Sequence, residues 1–562
     1  MNILGISTSL HDPSSALLVD GKIAAAAEEE RFIRIKHAST RLPLESARFC
    51  MDHAKLKPSD IDLIVYPWSP DLYNKYKYKQ SARFLKKPRT ARSIFIGNRG
   101  HMKNLRTILK TLGFAELKTK VEFVEHHLAH QSSAYHLSGF ENAALMSIDG
   151  RGEFVSTLFS EGKNGEIEKI EEFTVPASLG YFYSAFTEYL GFRANNGEFK
   201  VMGMSAYGDA SKVDLSDFMG IRDGKLWVDD NHIGGPTTRV MVKEDRRYSD
   251  EIIKRWGPPR EGDGLKEPYI HISAAVQKSL EDAVLELMDT HLGDVLKKTG
   301  TLCFAGGTAL NVRLNRKIIE HGTVKDIFVQ PASHDGGISL GGATYIAHQL
   351  GEKVETQKHS YYGPEYSDKE ILSVVKKSGL KYEKVDDIVS ESASRLAKGE
   401  AVSWFQGRME WGPRALGNRS ILGHPAHPGI SKDINARIKF REDWRPFCPS
   451  ILADAAPDIL ENYYPSPYMN LSFRVKKNWW DRIPEIIHVD KTARPQTVEK
   501  KINPFYYKLI KEFEEETDIP LLLNTSLNRR GEPMVCSPKD AVAMLKGSGL
   551  KTLAMGNYMV YK

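Results

Sequence analysis

The 562 residues exceed what one hydrophobic core supports, since single cores stop growing near ~250–300 residues, so two large lobes or a few smaller units are expected. With 41% hydrophobic, 27% charged and 10% aromatic residues, the composition excludes a disordered, collagenous or coiled-coil chain. The net charge of +6 is too small for this length to imply nucleic acid by itself. No run of about 18 uncharged apolar residues occurs, so no membrane partner is expected. The opening MNILGIS lacks the basic start, apolar core and cleavage site of a secretion signal. Four scattered cysteines without a CxxC pair argue against a disulfide framework or a thiolate zinc site and for a reducing cytoplasm.

In chain order, MNILGISTSLHDPSSALLVDGKI reads as strand, polar turn, strand and tight turn. Between Lys75 and Lys110 stand twelve Lys or Arg and no Asp or Glu, which fits either a solvated helical face or a rim for an anionic partner. AALMSIDGRGEFVSTLFSEGKNGEI repeats the opening pattern, with an acid in its turn. A duplicated strand–turn–strand predicts two related halves on the actin/hexokinase-like plan. TLCFAGGTALNVRLNRKIIE and DIFVQPASHDGGISLGGATYIAHQL each read as strand, glycine turn, helix, which sets backbone N–H groups and a helix N-terminus beside a strand end. Residues 351–367 are polar and aperiodic and are expected to be a linker. From 368 to 562, AVSWFQGR, IPLLLNTSLN and TLAMGNYMVYK alternate with helical stretches and predict a second α/β domain.

Chemistry is expected in both parts. His126 and His130, four apart, share a face if VEHHLAHQSSAYHL is helical. With Asp149 and Asp335, each in a turn, they form a mixed nitrogen and oxygen donor set of the kind that suits iron, manganese or zinc. His127 and His136 are weaker candidates. Beyond the linker, Arg408, Arg414, Arg419, Lys439, Arg441, Arg445, Arg494 and Arg530 stand near turn-forming Gly and Pro. Arginine's planar fork suits phosphate and carboxylate groups, so a small polyanion is the expected ligand. No GxxxxGK[ST] is present, so a P-loop is excluded.

The runs HDPSSALLVDGKIAAAAEEERFIRIKH, HHLAH, IDGRGE, EFKVMGMSAYG, GGTALN, SHDGGISLGGA, GPRALGNRSIL, WRPFCPS, ARPQT and LNTSLNRRGEP resemble, in order and from end to end, the nodulation-factor and antibiotic O-carbamoyltransferases. The resemblance implies an α/β chain with an N-terminal actin/hexokinase-like (Kae1-like) duplicated domain over 1–350, carrying the basic insertion at about 75–110. After the linker comes a YrdC-like α/β domain over 368–562. It further implies that carbamoyl phosphate and ATP, with Mg(II), become a carbamoyl-adenylate in the C-terminal domain. The carbamoyl group then passes to a hydroxyl of a small-molecule or sugar acceptor at an Fe(II) or similar centre held by His126, His130, Asp149 and Asp335. Carried over by motif, His11, Lys36, Lys439 and Arg494 are catalytic, and Gly306, Gly307, Asn311, Gly341, Arg414, Arg445, Asn524 and Ser526 bind substrate or nucleotide. His11, whose ordinary pKa is near 6.5, is the expected general base. The RPFAPS of the family reads RPFCPS here, with Cys448 in place of alanine. The basic segment favours an anionic or nucleotide-linked acceptor over an aminoglycoside. A tRNA threonylcarbamoyl-type enzyme is the rival function, but nucleic acid is disfavoured because no RNA-reading motif is present. A dimer is one expected assembly.

Overall fold

The computed structural model describes residues 1–8, 11–84, 88–117, 119–234 and 246–562. They form two compact units, Met1–Ala25 with Thr40–Gln357, and Ala26–Ser39 with Lys358–Lys562.

In the first unit, β1 (Asn2–Ser7), β2 (Ser14–Val19), β3 (Lys22–Glu28), β4 (Leu63–Tyr66) and β5 (Lys120–Phe123) make a sheet of order β3-β2-β1-β4-β5. A second sheet contains β6 (Asn142–Ile148), β7 (Val155–Lys163) and β8 (Glu166–Thr174). After the small hairpin β9 (Met219–Arg222) and β10 (Lys225–Val228), it is completed by β11 (Thr301–Ala305) and β12 (Asp326–Val329). Its order is β12-β11-β6-β7-β8. The two orders correspond strand for strand. In each, an antiparallel pair (β1/β2, β6/β7) is extended by two parallel strands (β4 and β5, β11 and β12). The first unit is therefore a duplicated α/β fold of the actin/hexokinase class. Its central strands are mostly apolar and are buried from their second residue on, as sheets covered by helices on both faces require.

The basic segment is a helical hairpin, Pro70–Ala82 and Pro88–Thr111, opened by Ser69, whose side chain accepts from the Leu72 N–H. Tyr73, Phe84 and Ile94 bury its inner side against Phe154 and Val175. Lys86 and Lys87, and the side chain of Arg89, lie outside the described residues.

The second unit is built on one mixed sheet. Its strands are β13 (Lys381–Lys384), β14 (Val402–Phe405), β15 (Arg419–Gly423) and β16 (Cys448–Leu452). After the pair β17 (Phe473–Arg474) and β18 (Thr492–Ala493) come β19 (Gln496–Val498), β20 (Leu521–Ser526), β21 (Thr552–Met555) and β22 (Tyr558–Tyr561). The order is β13-β22-β21-β14-β15-β20-β16-β19. Helices Asp368–Ser378 and Pro538–Lys546 both start with capping boxes, Ser367 with Glu370 and Ser537 with Asp540.

Residues Ala26–Ser39 group with this second unit, although their place in sequence put them with the first domain. Glu28 accepts from the Gly412 N–H at 2.8 Å, Arg31 donates to the Gly412 carbonyl at 2.9 Å, and Arg34 donates to the Met534 carbonyl at 2.6 Å. Phe32 packs on Met409, Ala415 and Met534.

Candidate functional site

In the first unit, the helix His126–Ser138 presents His126 and His130 on one face. Asp149 follows the end of β6, and Asp335 opens a single tight turn before the helix Ile338–Gln349. The His130 Nε2 lies 3.0 Å from the His126 Nε2 and 3.1 Å from an Asp149 oxygen. The His126 Nε2 lies 3.7 Å from Asp149 and 3.5 Å from Asp335, and the His130 Nε2 lies 3.7 Å from Asp335. One ligand atom from each of the four residues falls within a span of 4.8 Å. Two bonds of about 2.0–2.2 Å at ordinary coordination angles put donor atoms roughly 3.0–3.5 Å apart, so the set has the spacing of ligands around one ion. Two buried imidazole nitrogens aimed at each other are poorly satisfied without a cation between them, so the donor set fits a divalent metal.

Electrostatics agree. Burial raises Asp149 by itself, but hydrogen bonding and charge from His126 and His130 hold its carboxyl well below the usual range. Burial works against a charged His130, yet Asp149 and Asp335 lift it to about 9. Burial likewise opposes a charge on His11, whose Nδ1 is 3.1 Å from Asp12. Asp335, Asp12 and Asp149 outweigh that burial and raise His11 to about 10. These charges favour the imidazolium form of His11 over the neutral form that a general base needs. His127 is spent on Ser147 and the Val155 carbonyl, and His136 on Ser132 and the Gly165 carbonyl, so neither is a ligand.

The glycine turns serve this centre. Gly306 follows β11 at φ +90°, where a Cβ would stand 2.3 Å from the Ile148 carbonyl oxygen. A Cβ on Gly307 would be 3.1 Å from the Asp149 carboxylate. Asn311 caps its helix and exchanges hydrogen bonds with Gln277, so its side chain is committed to the interior. Gly341 faces the Ala129 carbonyl, where a Cβ would meet the oxygen at 1.8 Å, so its place is in the packing of two helices.

The second unit holds the cations. Arg494 donates through Nε and Nη2 to the Cys448 Sγ, at 3.2 and 2.9 Å. Arg445 pairs with Glu442 at 3.3 Å, and Arg441 lies over the Phe447 ring at 3.8 Å. Burial, then Arg494 and Arg445, push Arg414 down to about 9. Burial, then Arg445 and Arg494, push Arg441 down to about 9. Both remain charged at neutral pH. Lys439 ends a π-helical turn, Asn435–Lys439, an irregularity common at functional sites. Its Nζ stands among the Ser526 carbonyl, the Ser526 hydroxyl, the Asn528 carbonyl and the Asn528 side-chain oxygen. Burial, followed by Arg441, Arg445 and Lys36, pushes Lys439 well below the usual lysine range. Lys36 thus acts on this cluster, through the segment Ala26–Ser39. Asn524 donates to the Ala415 carbonyl and to Ser450, and Ser526 donates to Asn528. Mutually repelling cations with the buried carboxylate of Glu442 among them concentrate positive charge of the kind that suits an anion.

Not every arginine belongs to it. Arg419 is fully buried and donates to four carbonyls, of Gln406, Asn418, Pro364 and Gly407, with its guanidinium 3.7 Å from the Phe405 ring centre. Arg408 donates to the Gly363 and Tyr362 carbonyls. Both hold loops, for which an unaligned sequence carries no sign. Sequence patterns also gave no role to two acids. One Glu153 oxygen accepts from the Ser69 and His126 N–H groups, at 2.6 and 3.3 Å, fixing the start of the helix that carries His126 and His130. Glu410 accepts from the Leu416, Asn418 and Arg419 N–H groups, at 2.7, 2.8 and 3.1 Å, fixing the loop that carries Arg414. An acid beside a glycine turn was the available signal.

A family profile described as carbamoyltransferase N-terminus matches residues 2–344, and one described as carbamoyltransferase C-terminus matches 393–562. The nodulation protein NolNO of Sinorhizobium fredii is 35% identical, over 99% of this chain and 80% of its own. The nodulation protein NolO of Bradyrhizobium diazoefficiens is 37% identical, over 78% of this chain and 79% of its own. Among solved structures, HypF of T. kodakarensis aligns over 64% of this chain and 48% of its own, at 14% identity and a TM-score of 0.33. The chain belongs to the carbamoyltransferase family.

Proposed function

We propose that this carbamoyltransferase works by two half-reactions in its two units. In the second, carbamoyl phosphate, ATP and water yield carbamoyl-adenylate, phosphate and pyrophosphate. In the first, the carbamoyl carbon is attacked by an acceptor hydroxyl and AMP leaves. The observation that carries this reading is the set of mutually repelling cations around Arg494, which matches the two polyanionic substrates the family relationship implies. Arg414, Arg445 and Arg494 would hold phosphate oxygens through their forks and offset charge on the transferring group. Lys439, held by Ser526 and Asn528, would add a point charge once a bound anion offsets its burial and the neighbouring cations.

His126, His130, Asp149 and Asp335 would hold a divalent metal of the iron, manganese or zinc type. Bound there, it would supply Lewis-acid polarisation of an oxygen. Asp335, Asp12 and Asp149 favour the charged form of His11, and a cation held by Asp149 and Asp335 would offset part of that charge and bring His11 closer to serving as the base. A hydroxyl is a weak nucleophile at neutral pH, so this proton acceptor matters to the second half-reaction.

The acceptor is proposed to be an anionic hydroxyl compound, such as a phosphorylated or nucleotide-linked sugar. Support comes from the exposed Lys79, Arg92, Arg99 and Lys103 of the helical hairpin, within the stretch from Lys75 to Lys110 that has no acids. Their replacement by glutamine should raise the acceptor KM and weaken its salt dependence.

The division of labour is tested with two variants. Arg494→Ala should abolish pyrophosphate release dependent on carbamoyl phosphate. His130→Ala should leave that release largely intact and stop transfer. Equal loss of release in both variants would refute separate half-reactions.

A further inference from the structure

The cation cluster of the second unit contains a group that competes with its ligand. Cys448 begins β16 and stands opposite Asn524 of β20, so both side chains share one face of the sheet. The Cys448 Sγ sits on the Nε and Nη2 edge of Arg494. That edge presents two parallel N–H groups and is one on which a phosphate or carboxylate docks with two oxygens. Sulfur is a weak acceptor by comparison. Beside it, two polar groups are left unspent. The Asn524 Oδ1 has no hydrogen-bond partner among the described residues, though Asn524 is 2% exposed, and the buried Arg441 Nη2 has none either. A donor and an acceptor buried without partners next to an occupied guanidinium edge describe a ligand site whose best docking surface is capped by the protein itself.

We propose that Cys448 sets the anion affinity of this site. The thiol holds the Arg494 fork in the free enzyme and has to leave that edge before an anion can bind it with two oxygens. Part of the binding energy of the phosphate substrate is then used to displace the sulfur, so the free enzyme binds more weakly than its cluster of basic groups would allow. Cys448 is a positioning residue acting through Arg494, and its effect belongs on substrate binding. The inference rests on the reading of this cluster as the carbamoyl phosphate and ATP site.

The test uses the full chain and three variants. Cys448→Ala removes the competing sulfur. The RPFAPS motif that WRPFCPS resembles carries alanine here, and the smaller side chain introduces no clash. It should lower the KM for carbamoyl phosphate in pyrophosphate release by about three- to tenfold, with the change falling on KM and not on kcat. Calorimetric titration with inorganic phosphate should show tighter binding by a similar factor. Cys448→Ser keeps an acceptor at the same place and should stay near the wild-type KM. An unchanged or raised KM, together with unchanged or weakened phosphate binding in Cys448→Ala, overturns the proposal. Arg494→Ala separates the two levels. If it leaves both pyrophosphate release and phosphate binding intact, the cluster is not the substrate site and the functional reading falls. If it abolishes both while Cys448→Ala changes nothing, only the role of Cys448 falls.

Discussion

Gly152 offers the sharpest test of the proposed metal centre, because it is none of the four candidate ligands and yet sets where His126 stands. A Cβ built on Gly152 would lie 2.6 Å from the His126 Cβ, 2.8 Å from its Cγ and 2.9 Å from its Cδ2. Carbon atoms in contact sit about 3.5–4.0 Å apart, so Gly152→Ala is short of room by nearly 1 Å. His126 cannot yield freely, since its N–H is held by the Glu153 carboxylate. The imidazole therefore moves relative to His130, Asp149 and Asp335 by a large part of that shortfall. Metal sites tolerate about 0.2 Å in ligand distance, and disturbed support of a ligand costs roughly 10–100-fold in metal affinity. Gly152→Ala should thus lose metal affinity by at least tenfold, and overpacking should cost about 1–3 kcal/mol of stability. Metal content after dialysis against a graded chelator gives the first number and urea denaturation the second. Gly293→Ala, on a helix where nothing lies within 4 Å, is the control and should be as stable as wild type or slightly more so. A Gly152→Ala protein that keeps metal with wild-type stoichiometry and affinity would refute the argument.

Arg419→Ala should cost about 3–5 kcal/mol in urea denaturation, because it strands four buried carbonyl groups; a variant of wild-type stability would show that loop to be held otherwise. Stability should also fall with acid. Burial, then Arg151 and His126, push His101 down to about 4, and burial, with a smaller contribution from His348, pushes His136 down to about 4. A histidine that is harder to protonate when folded contributes fully above its unfolded value near 6.5, and that contribution is lost as pH falls from there towards 4. Each group gives a slope of about 1.4 kcal/mol per pH unit inside the window. Thermal melts of wild type against His136→Phe between pH 7 and 5 measure it, and an unchanged slope would count against the assignment.

The duplicated sheets were legible because β1 and β6 are short apolar runs followed by turns, a pattern independent of distant residues. The histidine pair was legible from its helical spacing, and the acids from their place in turns. The arginines were legible only as a group. Arg494 and Arg419 both stand near turn formers, yet one meets the Cys448 sulfur among other cations and the other ties four carbonyls inside the protein. Which of these occurs depends on where neighbouring carbonyls end up, and that is a property of the fold. Ala26–Ser39 gave no local sign of its unit either. Its partners Gly412 and Met534 lie 381 and 500 residues away from the arginines they bind.

That early segment has a consequence for synthesis on the ribosome. Residues 26–39 leave the exit tunnel long before anything from 358 onward exists, with roughly 320 residues of chain between them. At about 5–20 residues per second the wait is on the order of 15–60 s. Throughout it, Glu28, Arg31 and Phe32 have no native surroundings, while the strands on either side of them are free to pair. The nascent chain thus carries a charged and partly apolar loop that only its last third can shelter. A circular permutant beginning near residue 40, with 1–39 joined behind 562, would remove that wait.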